Sequence, residues 1–121
     1  MNLALVFRAS AAVLFLNDLM ALLITDQFMS MADFDVTADM HTLGQFMGVT
    51  FLIFGLIAWK TVDLAGDNLA AFGKVYALAE AMWVGIIAFH VATGAAGGAT
   101  ALLNLAISSL LAVLFFVKSR D

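Results

Sequence analysis

Four stretches of the chain are apolar for almost their whole length, at about residues 3–25, 43–60, 72–92 and 99–117. A bilayer core of about 30 Å is crossed by roughly 20 apolar helical residues, so each stretch is long enough to span it. None shows the strict alternation of a half-buried strand, and most of the charged residues fall outside them. The pattern predicts an all-α integral membrane four-helix bundle with short loops, a single domain over residues 1–121. "TGAAGGA", Thr93 to Ala99, reads as a tight glycine-rich turn between the third and fourth spans. Asp67 and Asn68 are good N-caps for "NLAAFGKVY", so the third helix is expected to begin ahead of its apolar run.

The segment between the first two spans, "DQFMSMADFDVTADMHT", is too long for a bare turn. Its Phe28, Met29, Met31 and Phe34 are closely spaced apolar residues, which fits a short interfacial helix or an ordered loop touching the lipid interface. Arg8 ahead of an apolar run, with "SMA" at Ser30 to Ala32, sketches a cleavable signal peptide. Asn17 and Asp18 interrupt that apolar run, and the first span is expected to be retained.

Composition sharpens the picture. Hydrophobic residues make up 64% of the 121 and charged residues only 12%, against roughly a quarter in soluble proteins, and the mean hydropathy is +1.07. There is no cysteine, which excludes disulfides, thiolate metal sites, iron–sulfur clusters and dithiol redox chemistry. There is no proline either, so the helices should run unbroken. A net charge of −4 with five scattered basic residues gives no basic patch, and nucleic acid is not an expected partner.

Charge is sided. With four spans, Arg8, Lys60, Lys74, Lys118 and Arg120 share one side, whereas Asp26, Asp33, Asp35 and Asp39 lie on the other, which has no Lys or Arg. The basic side is expected to be cytoplasmic, with both termini on it.

Ionisable groups inside a span cost at least about 2.5 kcal/mol each at the bilayer centre, so they face the bundle and have partners. By level alone, Arg8 matches Glu80 and Asp18 matches His90, since Asp18 lies ten residues beyond Arg8 and His90 ten beyond Glu80 in parallel spans. An Arg8–Glu80 ion pair and an Asp18–His90 pair are therefore expected, with snorkelling of Arg8 to the headgroups as its alternative. Tyr76, Glu80, Trp83, Ile87 and His90 form one helix face, and Thr100, Asn104 and Ser108 recur at i+4 steps in the last span. Asn17, Asp18, Gln45, Glu80, His90 and Asn104 thus collect as a candidate ligand or proton site. Two readings stay open for them: interhelical hydrogen bonds, or a small polar pocket that opens outward.

Gly44, Gly48 and Gly55 give the second span a smooth face, suited to close helix contact within the fold or to an oligomer surface. No cofactor or metal is expected; a haem b held by His41 and His90 is the alternative. No HExxH, phosphate-binding glycine loop, triad or cysteine nucleophile is present, and the chain is read as non-catalytic.

"HTLGQFMGVTFLIFGLIAWKT", His41 to Thr61, resembles the second span of small bacterial four-helix membrane proteins of the DoxX-like group and related families of unknown function. Gly44, Gly48, Gly55, Trp59 and Lys60 carry the likeness; where many of those proteins have an arginine, this chain has Gln45. The resemblance implies a compact bundle in the bacterial cytoplasmic membrane. Small multidrug transporters share the size and span number, but their membrane glutamate lies in the first span, where this chain has Asp18.

Three functions follow as expectations. The first is an accessory or assembly subunit that meets another membrane protein, or itself, within the bilayer. The second is a small proton-linked carrier or small-molecule-binding protein using Asp18, Glu80 and His90. The third is a bis-histidine haem carrier.

Overall fold

The structure is a computed structural model that describes residues 1–120. It is all helical among those residues: α1 (Leu3–Leu23), α2 (Thr25–Ser30), α3 (Ala38–Leu64), α4 (Leu69–Ala92) and α5 (Gly98–Lys118), with one 3-10 turn at Gly66–Asn68 before α4. Four of these helices are long and apolar enough to cross a membrane.

Helix ends follow local chemistry. The Asn2 side chain accepts from the Leu5 amide at 2.9 Å, and the Thr37 hydroxyl accepts from the Met40 amide at 3.2 Å. The Thr37 cap starts α3 at Ala38, five residues before the apolar run, so that helix is 27 residues and about 40 Å long at 1.5 Å per residue. Gly66, at φ +52°, turns the chain out of α3. As the sequence suggested, α4 begins early at Leu69, but the Asn68 side chain makes no capping bond; the 3-10 turn leads into the helix instead.

The bundle consists of two close pairs. α1 lies along α3 and α4 along α5, while α3 and α4 barely touch. Gly44 faces α2, and Gly48 and Gly55 face α1; Thr25, Leu22 and Phe15 respectively fill the space a Cβ would occupy. The smooth glycine face is thus taken up inside the fold. Both termini lie at one end, since Gly73, early in α4, is close to both Leu3 and Ser119.

Of the two expectations for the segment between the first two spans, a short helix is found, α2, yet Phe28 and Met29 are buried rather than resting in an interface. The segment is stitched to the start of α5. The Gly97 amide donates to the Ala32 carbonyl at 3.1 Å, and the Thr100 amide donates to the Met31 carbonyl at 3.1 Å. A helix's first N–H groups have no partner within it, so the Met31 carbonyl satisfies one of these in α5. Gly98, at φ +63°, has the Met31 carbonyl where a side chain would begin, so a glycine is required there.

Two apolar clusters close the ends. Val6, Phe7, Ala11, Ala58, Ala77, Leu111 and Phe115 form one at the termini end. Phe7, Tyr76 and Phe115 meet there ring against ring at 4.8–5.4 Å. Ala21, Phe28 and Met29 form the other at the α2 end. Outward faces carry exposed Leu19, Phe46, Leu78, Met82 and Leu103, an apolar perimeter that suits hydrocarbon rather than water.

Candidate functional site

Between the two clusters lies a cavity of about 370 Å³. α1 contributes Ser10, Val13, Leu14 and Asn17, which are spaced i, i+3, i+4, i+7 and so share one face. α4 contributes Tyr76, Glu80, Trp83, Ile87 and His90, the stripe expected from sequence. α5 contributes Thr100, Asn104 and Ser108 at successive turns. α3 adds Met47, Phe51 and Phe54, and α2 and its loop add Phe28, Met29 and Phe34.

The polar groups are joined across helices. The Ser10 hydroxyl, itself 1% exposed, donates to Glu80 Oε1 at 3.3 Å, and Ser108 also hydrogen-bonds the Glu80 carboxyl. Nearer the α2 end, Asn104 Nδ2 donates to Asn17 Oδ1 at 3.2 Å, while Asn17 Nδ2 donates to the Val13 carbonyl at 2.9 Å. Tyr76 shares a hydrogen bond with Thr61 of α3. Hydrogen bonds and a pocket are therefore not alternatives here: the same side chains that bridge the helices line the space between them.

Arg8 does not meet Glu80. Its guanidinium donates to Asp63 Oδ1 and to the Trp59 carbonyl, each at 2.7 Å, and lies 4.1 Å from the Trp59 ring centre. Glu80 is nevertheless level with that part of α1, because it bonds Ser10, only two residues from Arg8. Rotation defeats the pair: two residues turn a helix by about 200°, so Arg8 and Ser10 face nearly opposite ways. Arg8 joins α1 to α3, and Asp63, a partner the sequence reading passed over, lies on the last turn of α3 near Lys60. Its place at the same end as Arg8 was the available signal.

Asp18 is likewise not joined to His90. It is 5% exposed, its Oδ1 has no hydrogen-bond partner, and it does not line the cavity. The adjacent Asn17 takes the cavity-facing position, about 100° round the helix. Gln45 is exposed on α3 and outside the cavity. His41 caps neither helix nor cavity; its Nδ1 lies 2.7 Å from Asp26 Oδ1, tying the start of α3 to α2. His41 and His90 therefore have separate surroundings, with only His90 facing the cavity.

Chemically, the cavity offers one carboxyl, two amides, hydroxyls, one imidazole and several aromatic rings, without Lys or Arg. Such a set can hold a small molecule by hydrogen bonds and ring contacts. Ser10 was missed in the sequence reading, although its i, i+7 relation to Asn17 marks the shared face. Compared with known proteins, the chain matches no family model, no curated protein and no solved structure.

Proposed function

We propose that this chain is a non-catalytic, multi-pass membrane protein that binds a small molecule in the cavity around Glu80. The observation that carries the reading is the polar lining itself. Ser10, Asn17, Glu80, Asn104 and Ser108 converge from three helices on one space of about 370 Å³, within the range of small-molecule sites. A bundle that needed only interhelical hydrogen bonds would close around them.

The setting proposed is the bacterial cytoplasmic membrane, with both termini inside. Arg8, Lys60, Lys74, Lys118 and Arg120 on the termini side, and Asp26, Asp33, Asp35 and Asp39 on the other, support that orientation. The likeness in layout to the DoxX-like group supports the bacterial setting and implies no activity. An accessory-subunit role has less support, because Gly44 is covered by α2 and Gly48 and Gly55 by α1, so that they offer no face to a partner.

The test is native mass spectrometry of protein taken from its own membranes in mild detergent. A small molecule retained in a defined ratio, and lost when Ala79→Trp fills the cavity, is the expected result. Release of the bare chain from both proteins, or its recovery only in a complex with another membrane protein, would overturn the reading.

A further inference from the structure

If the cavity is a binding site, the next question is how a molecule reaches it. At the α2 end it is roofed by Phe28 and Met29, each 3% exposed, and by Phe34. That roof is held to α5 by the Gly97 and Thr100 amides and by the Thr100 hydroxyl, which donates to the Phe28 carbonyl at 3.5 Å. The pocket therefore does not open outward to water as the sequence suggested. At the termini end the cavity is lined by Tyr76 and Leu111, and the Tyr76 ring packs there against Phe7 and Phe115.

The side is different. α3 and α4 barely touch, and along their seam the cavity is walled by residues that also face outward: Met47 and Phe54 of α3, Trp83 and Ile86 of α4, all 36–51% exposed. Phe51 and Trp83 stand across this seam with ring centres 6.2 Å apart. Phe51 is midway along α3 (Ala38–Leu64), so the opening lies level with the hydrocarbon core. A water-soluble ion meets a barrier there; a molecule already dissolved in lipid does not.

Charge indicates which such molecule fits. Glu80 is a carboxyl with hydroxyl neighbours and no Lys or Arg in the cavity to neutralise it. Trp83, one turn along α4 from Glu80, and Tyr76, one turn back, both line the cavity, with Phe51 and Phe54 on its α3 wall. A carboxyl inside a membrane requires a partner, and aromatic faces attract cations most strongly when both are out of water. We propose that the cavity takes a membrane-dissolved lipophilic amine, which passes between α3 and α4 at Phe51 and Trp83 and sets its ammonium group against Glu80. This inference rests on the binding function proposed above and names its ligand class and route.

Trp59 and Trp83 are the chain's two tryptophans, so Trp59→Phe leaves Trp83 as sole reporter at the seam. In lipid nanodiscs, the probe is a bromophenyl-ethylamine, whose bromine quenches tryptophan, compared with the alcohol of the same skeleton. Saturable quenching by the amine, at least tenfold weaker for the alcohol, is expected. Glu80→Gln should abolish that preference and Glu80→Asp retain part of it, which separates lost charge from lost fold. Equal saturable quenching by amine and alcohol, unaffected by Glu80→Gln, would overturn the amine assignment and leave the cavity as a site for neutral amphiphiles. Quenching by both probes that rises linearly without saturation would overturn the binding function as well. For the route, stopped-flow onset should be faster in Phe51→Ala and unchanged in Phe34→Ala; the reverse would show passage through the α2 end.

Discussion

Gly48 and Gly85 allow the same chemical change to be tested in two environments. A Cβ at Gly48 would lie 2.6 and 2.8 Å from Leu22 Cγ and Cδ2 and 3.3 Å from the Ala21 Cβ; at Gly85 it would meet nothing within 4 Å. Ordinary carbon contacts lie at about 3.5–4.0 Å, so Gly48→Ala must move Leu22 or the α1 backbone by about 1 Å. Overpacking of that kind costs about 1–3 kcal/mol. Both substitutions gain up to about 1 kcal/mol from replacing a helical glycine, less where lipid already favours the helix. The net expectation is destabilisation by about 1–2 kcal/mol for Gly48→Ala and neutrality or slight stabilisation for Gly85→Ala. Reversible unfolding in mixed micelles, followed by far-ultraviolet circular dichroism, measures both. Equal effects at the two sites would mean that α1 and α3 do not approach at Gly48, and the pairing of helices described above would be wrong.

Two further expectations concern the charged groups of α1. A double-mutant cycle between Arg8→Ala and Asp63→Ala should show coupling of about 1 kcal/mol, the scale of a partly exposed ion pair. The cycle between Arg8→Ala and Glu80→Ala should show almost none, and substantial coupling there would refute the rotation assigned to α1. Asp18 carries a buried Oδ1 without a donor, so Asp18→Leu should raise stability by about 1–3 kcal/mol in the same unfolding assay. A loss of stability would reveal a partner for that carboxyl.

The elements of the fold were legible because length and hydropathy decide them locally. The four spans could be expected from spacing, whereas α4 starts early without the side-chain cap expected of Asn68, and the short helix at Phe28 and Met29 was one of two forms the spacing allowed. The α4 stripe through Glu80 and His90, and the α5 series through Asn104, also named the right cavity walls. Rotation of α1 was not legible. A hydrophobic helix surrounded by lipid has no polar exterior face to contrast with its interior, so Arg8, Asn17 and Asp18 announce depth without announcing direction. Sequence position marks Asp63 as level with Arg8 and Ser10 as sharing the Asn17 face, but which helix each side of α1 meets follows only once α1 is set against α3 on one side and α4 on the other.

The sparse meeting of α3 and α4 also bears on how the molecule is put together during synthesis. The first hairpin, α1 through α3, has its interface complete by Leu64, before the glycine turn at Gly66 and everything beyond it emerges. The second hairpin forms its own contacts between α4 and α5. Neither contains the chamber by itself: Ser10 and Asn17 belong to one, Glu80, Asn104 and Ser108 to the other. The polar walls come into being only when the hairpins join, so a bilayer that holds the halves slightly apart would leave two intact helical pairs and no site.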